Sequence, residues 1–244
     1  MDWPALRFTA RPEIRTLAVD GQPVCHVVDD ALANPDEWRA FAGSARSAFA
    51  DAPYNAFPGL ELRLPDGASA PLARFFDEHL RRTFSARRIE RMYARLSMVN
   101  RRPEDLQPWQ WQPHVDQLQT APGQCVAASV LYLFEDAALG GTSFYRPRQA
   151  ADLTLAMIQD SASLPAAEFS AKHGVAAGYL TGSNAWFEKV ASVPARWNRL
   201  IVYSGTIFHS GEIAHPEKLT NDVAKGRLTL NGFFTCRRSL SAGG

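Results

Sequence analysis

The spacing of apolar residues divides this chain into a front part written for helices and a longer part written for strands. Residues 1–20 mix polarities around Pro4 and Pro12 and read as an extended arm. Asp20-Gly21 is a turn signal, and residues 23–28, rich in Val, read as a strand. Asn34-Pro35-Asp36-Glu37 predicts a helix start: Asn caps, Pro takes the first helical position, and Glu sits three after the cap. Trp38, Phe41, Ala42, Ala45 and Phe49 follow at helical spacing, so one apolar face must pack on a partner, for which a sheet is expected. Residues 51–70 carry Pro and Gly and read as loop, with a brief alternation at 60–64. A second helix is expected over about 70–85, its stripe made by Leu72, Phe75, Phe76, His79, Leu80 and Phe84, with His79 as a core histidine.

From about residue 91 the period becomes that of strands. Strands are expected at 91–100, 109–116, 126–134, 142–145, 186–193, 199–209 and 227–236, with a polar loop at 101–107 and a turn at Gly140-Gly141. Residues 151–185 interrupt the pattern: rich in Ala and Ser, with Pro165 at a helix start, they read as a helical and looped insertion. The expected class is mainly β with flanking helices (α+β). A single domain over 1–244 is expected, with 1–90 as supporting arm, strands and helices and 91–236 as the barrel, because 244 residues at 46% hydrophobic content can bury one sizeable core.

A net charge of +1 argues against a nucleic-acid groove or an anionic membrane surface as partner. Arg81-Arg82 and Arg87-Arg88 sit among carboxylates and read as solvated helix faces. The start lacks the charged and apolar regions of a signal peptide, and no apolar run is long enough to cross a bilayer, so a soluble, cytoplasmic protein is expected. Cys25, Cys125 and Cys236 are odd in number and far apart, and read as buried small hydrophobes in a reducing compartment.

The chemistry concentrates in Trp109-Gln-Trp-Gln-Pro-His114-Val115-Asp116. On an extended segment, residues two apart point to the same side. Inside a barrel, His114 and Asp116 would reach one point and supply two of the three protein ligands in the facial triad of non-haem Fe(II) oxygenases. His209, closing an apolar run from Leu200, is the candidate third ligand, and Arg227 and Thr229 share a strand face as an anion clamp. The pair His114/Asp116 alone is weak, since a solvated turn or a core histidine gives the same pattern; the order of the elements that follow favours a site. Trp109 and Trp111 fall on the face opposite Gln110, Gln112 and His114 if the strand stays regular through Pro113, and either line the mouth or pack on the N-terminal helices.

In the order His114-x-Asp116, Tyr132-Leu133, Gly140-Gly141-Thr-Ser-Phe-Tyr145, His209, Arg227-x-Thr229, residues 95–236 resemble the Fe(II)/2-oxoglutarate-dependent oxygenases, especially the prolyl-hydroxylase-like branch. The resemblance implies a distorted double-stranded β-helix, a jelly-roll relative of the cupins, buttressed by the N-terminal helices. It implies Fe(II) on His114, Asp116 and His209, 2-oxoglutarate as cosubstrate, O2, and Tyr132 beside Arg227 and Thr229 at the far carboxylate of 2-oxoglutarate. The implied reaction hydroxylates a carbon centre of a small-molecule or peptide/protein substrate and releases succinate and CO2. Iron halogenases similar to this family carry a small residue where Asp116 stands, so no chlorination is expected. Arg227 follows His209 by eighteen positions, more than the family usually shows. A surface loop over 212–225 accommodates this at small thermodynamic cost. Arg199 and Arg237 are the rival cations, expected to face solvent or backbone carbonyls, and His215 reads as a surface residue. Two further readings remain: a cupin-type iron oxygenase that does not use 2-oxoglutarate, and a catalytically silent jelly-roll ligand-binding protein.

Overall fold

The computed structural model describes residues 2–53, 55–116 and 121–239, whose strands form two antiparallel sheets. The larger runs in the order β1 (Ile14–Val19), β2 (Gln22–Val28), β9 (Leu200–Ser204), β6 (Gln124–Tyr132), β11 (Arg227–Arg238), β5 (Ala86–Val99), β4 (Gly59–Arg63), β3 (Ala50–Asp51). The smaller runs β10 (Phe208–Gly211), β7 (Thr142–Pro147), β8 (Phe187–Val193). Asp20 and Gly21 both take positive φ, 51° and 75°, as the tight hairpin between β1 and β2 requires.

Period-two alternation sorts the large sheet into two faces. On one, Leu96, Leu131, Leu230 and Phe234 pack under helices α1 (Pro35–Ser44) and α2 (Asp66–His79), with Trp38 and Leu72 buried between and the rings of Phe76 and Phe234 stacked at 4.3 Å. The N-terminal helices therefore buttress one sheet, as expected. On the other face, Val27, Tyr132, Ile201 and Tyr203 meet Phe144 and Val193 of the small sheet. Cys25, Cys125 and Cys236 are buried and free. Among the described residues, no helix is long and apolar enough to cross a membrane.

Within residues 151–185, helices α3 (Ala151–Ser163) and α4 (Ala166–His173) precede a loop that returns to β8. Met157 and Phe169 form a separate small core with Leu106 and Trp111. Trp111 thus packs under these helices rather than under α1 or α2, and its Nε1–H donates to Leu106 O at 3.1 Å.

Some boundaries differ from expectation. α2 spans Asp66–His79 rather than 70–85: Leu80 leaves helical geometry, and Arg81–Phe84 form a 3-10 turn closed by Ser85 at φ 52°. His79 consequently sits half-buried at the edge of the stripe, not in the core. Arg87 and Arg88 lie on β5 and not on a helix face. Asn34 precedes α1 but makes no capping bond; its amide donates to Ala5 O and Glu37 Oε2 and its Oδ1 accepts from the Arg7 N–H, fastening the N-terminal arm instead.

Two corrections shape the site. The run 199–209 is two strands in different sheets, because the chain turns through Gly205. A Cβ there would stand 3.1 Å from Val126 Cγ2 and 3.4 Å from Asp116 Cβ, which favours glycine. Residues 109–116 are not a strand: Pro108–Gln110 form a 3-10 turn held by reciprocal Gln107 and Gln110 capping, and Pro113 has no N–H to give to a ladder. His114 alone in this segment pairs, in an isolated bridge with His209.

Candidate functional site

That bridge fixes the chemistry-bearing residues. The His114 N–H donates to His209 O and the His209 N–H to His114 O, each at 2.9 Å, so His114 adds a single rung to the small sheet beside β10. The Asp116 N–H donates to Gly205 O at 2.9 Å, tying the next turn to the crossing between β9 and β10. The side chains of His114, Asp116 and His209 each bring one potential ligand atom to within 4.8 Å of the others. The two imidazoles lie 4.4 Å apart between centroids, and Asp116 Oδ2 stands 3.7 Å from His209 Nε2, too far for a hydrogen bond and suited to two ligands of one ion.

Electrostatics favour a cation here. The His209 Nδ1–H donates to Ile207 O at 2.8 Å, which leaves Nε2 with its lone pair facing the cavity. Burial holds the His114 imidazole well below its usual range and therefore neutral, and His209 and Arg95 add to the effect. Burial pushes the Asp116 carboxyl up, against the attraction of His209 and Arg95. Its Oδ2 is buried without a hydrogen-bond partner. Two imidazoles and an unpartnered carboxylate oxygen are the donor set of a facial triad, so these residues fit an Fe(II) ion.

Arg227, Thr229 and the triad line one cavity of about 90 Å³ between the sheets. Arg227 is buried, and Nε and Nη2 donate to the carbonyls of Gly140 and Gly141 at 3.1 and 2.9 Å. The Gly-Gly turn exists for close approach: a Cβ on Gly140 or Gly141 would lie 2.0 Å from the carbonyl oxygen of Glu212 or Val193. Among the described residues Arg227 pairs with no carboxylate, and burial lowers its pKa. Thr229 Oγ1 donates a long bond, 3.4 Å, to Ser97 O. The rivals are engaged elsewhere, Arg199 with Asp29 at 2.6 Å and with Pro194 O, and Arg237 with Glu90 at 2.9 Å. His215 is exposed.

Tyr132 stands one layer back. It is fully buried, its hydroxyl meets Thr142 Oγ1 at 2.8 Å, and Thr142 lines the cavity in its place. Trp109 and Trp111 are not part of the lining, whereas Gln110 and Gln112 are. Sequence reasoning missed Asn231, although it continues the Arg227 and Thr229 alternation on β11. It also missed Tyr203, whose ring packs 4.6 Å from that of His209, and Arg95, which only the register Asn231↔Arg95 reveals. Tyr179, carried in by the 151–185 segment, gave no signal; its hydroxyl donates to Arg101 O at 2.7 Å.

The sequence matches a family described as "family of unknown function (DUF6445)" over residues 10–234. No curated protein matches it. Among solved structures, HygX from Streptomyces hygroscopicus with nickel and 2-oxoglutarate bound superposes with a TM-score of 0.50 at 10% identity, over 87% of this chain and 82% of that one. A prolyl 4-hydroxylase structure from Phytophthora capsici gives 0.42 at 12% identity, over 87% of this chain and 58% of that one. An N-substituted L-amino acid dioxygenase from Burkholderia ambifaria AMMD gives 0.40 at 10%, over 94% and 95%. The HygX likeness shows the fold alone: the two sheets form a double-stranded β-helix, as expected.

Proposed function

The chain belongs to the family of unknown function DUF6445, and from its cavity we propose that it is an Fe(II)/2-oxoglutarate-dependent dioxygenase hydroxylating a carbon centre. One observation carries the reading: two uncompensated opposite charges face the same small cavity. Asp116 offers a buried carboxylate oxygen without a partner, beside two imidazoles. Arg227 offers a buried guanidinium that no carboxylate among the described residues meets. A divalent cation answers the first and a dicarboxylate the second.

Spacing supports both at once. Gly211 lies two residues along β10 from His209, and its Cβ direction ends 3.6 Å from Arg227 Nη2. The guanidinium is thus displaced from the histidine by roughly 7 Å of strand. The end carbons of an extended five-carbon diacid are about 5 Å apart, which leaves room for its contacts at both ends.

In this reading His114, Asp116 and His209 hold Fe(II), and the Ile207 carbonyl fixes the His209 tautomer so that Nε2 is the ligand atom. Arg227 donates its planar fork to the far carboxylate of 2-oxoglutarate, and Thr229 exchanges its long bond to Ser97 for a shorter one to the same group. Tyr132 acts through Thr142, holding that hydroxyl at the cavity wall. When bound, iron with 2-oxoglutarate and O2 supplies the oxidising chemistry, and succinate and CO2 leave. Asp116 occupies the position that a halide needs, so the product is hydroxylated rather than chlorinated.

Anaerobic titration of the Fe(II)-loaded protein with 2-oxoglutarate should raise a visible metal-to-ligand absorption band, and admitting O2 should release succinate. A protein that holds one equivalent of Fe(II) yet shows neither signal sinks the cosubstrate assignment. Failure to hold Fe(II) sinks the triad.

A further inference from the structure

Two amides on the cavity wall carry orphaned atoms. Gln112 and Asn231 are buried, and neither end of the Gln112 amide nor Oδ1 of Asn231 has a hydrogen-bond partner among the described residues. Buried polar atoms are almost always paired, and these three share the lining with orphaned Ser129 Oγ, Arg95 Nε and Asp116 Oδ2, so the cavity points to absent ligands. We propose that Gln112 and Asn231 form the substrate-recognition subsite and take an amide, a neutral group presenting a donor and an acceptor side by side. The inference rests on the dioxygenase reading above.

The cosubstrate cannot satisfy these groups. A 2-oxo dicarboxylate only accepts hydrogen bonds, whereas a carboxamide orphaned at both ends needs one donor and one acceptor whichever way it is turned. Position agrees with this. Along β11 the cavity-facing row is Arg227, Thr229, Asn231, Phe233, so Asn231 lies past the clamp, and Gln112 precedes His114 by two residues.

Charge decides that the ligand is neutral. Iron's two positive charges and the one on Arg227 are met by Asp116 and the two charges of 2-oxoglutarate. Arg95, the remaining cation in the lining, is already paired with Glu61. A charged substrate would therefore be buried without a counter-charge. Phe57, Pro58, Val99 and Phe233 give part of the lining an apolar character that suits an amide better than a polyol. An amide has apolar flanks to lay on them, while the further hydroxyls of a polyol would lie there unpaired.

The test uses Gln112→Leu and Asn231→Leu beside the unaltered protein, each loaded with 2-oxoglutarate and with Zn(II) in place of iron. Ligand-detected saturation-transfer NMR follows four probes: N-acetylglycinamide, its anionic relative N-acetylglycine, cationic glycinamide, and the polyol erythritol. N-acetylglycinamide should bind at least about tenfold tighter than the other three and about tenfold weaker to either variant, the loss expected for a deleted buried hydrogen bond. Cosubstrate affinity by calorimetry should stay within about twofold, the scatter of unaffected sites. Because the Gln112 amide has no partner in the free protein, Gln112→Leu should leave Tm unchanged or raise it.

Equal binding of a charged probe or of erythritol overturns the proposal, as does a lowered Tm of Gln112→Leu with diamide binding intact. A fall in cosubstrate affinity instead of diamide affinity reassigns these amides to the clamp. If the unaltered protein binds metal and 2-oxoglutarate but no diamide, the amide subsite alone fails. If it binds neither, the dioxygenase reading fails and takes the subsite with it.

Discussion

Asp116 is buried with one carboxylate oxygen that meets no donor, and that has a signature in pH. Its carboxyl is raised in the folded chain above the ordinary 3.8. A group raised in this way stabilises the folded state below its unfolded value and withdraws that stability as pH rises through the folded value. The metal-free protein should thus lose stability as pH climbs from 3.8, and Asp116→Asn should remove that part of the slope, measured by thermal unfolding in a chelator. The sign is opposite for His114, lowered below 6.5: its contribution is present above 6.5 and lost as pH falls through the folded value. With metal the order reverses. At a metal concentration of 100 times Kd the unaltered protein gains about 2.7 kcal/mol, and Asp116→Asn should lose most of that gain. Arg227→Met should weaken 2-oxoglutarate binding several hundred-fold or more, from a cost of roughly 3 to 5 kcal/mol for breaking a buried ion pair. Arg199→Met and Arg237→Met should leave it unchanged, since Asp29 and Glu90 hold those side chains away. At this scale the meeting of His114, Asp116, His209 and Arg227 at one cavity is legible in the sequence, because their types and order suggest one site. The place of Tyr132 is not, because the direction of a hydroxyl depends on a partner, Thr142, that alternation does not name.

Elements with clear punctuation, β6 as an apolar run between turn residues and β11 by the shared face of Arg227 and Thr229, read correctly from sequence to within a few residues. The crossing between β9 and β10 does not, because one glycine inside an apolar run looks like a tolerated interruption of a single strand. Yet Gly205 is what lets Asp116 approach, so Gly205→Val should push the 114–116 segment outward. We expect a loss of about 1–3 kcal/mol in stability from overpacking, and a drop in metal affinity that a compensating Val126→Ala partly restores. A full return of metal binding without that second change would show that the contact is not limiting. The 3-10 turn at Pro108–Gln110 escapes notice for a related reason: capping by Gln107 and Gln110 is a side-chain event inside a stretch whose apolar pattern suggests a strand.

At the scale of the molecule, residues 151–185 are attached through a core of their own, and Trp111 joins that core to the segment carrying His114. Trp111→Ala should cost about 3–5 kcal/mol and make the 151–185 segment the first site of limited proteolysis. Tyr179, which this segment delivers to the cavity, should then become accessible to solvent, readable as faster nitration of its ring followed by peptide mass spectrometry.

Strand β11 has one more consequence. It lies between β5 and β6 in the large sheet, pairing with Ala86–Val99 on one side and with residues 124–132 on the other, yet it follows every other strand in the chain. A ribosome releasing this protein therefore exposes two unpaired strand edges for the whole interval before residue 227 emerges. Neither Arg227 in the cavity wall nor a closed sheet exists in the nascent chain during that time. A released chain truncated before Gly226 should be a client of chaperones and prone to edge-to-edge association, and the chain that continues through Arg238 should not.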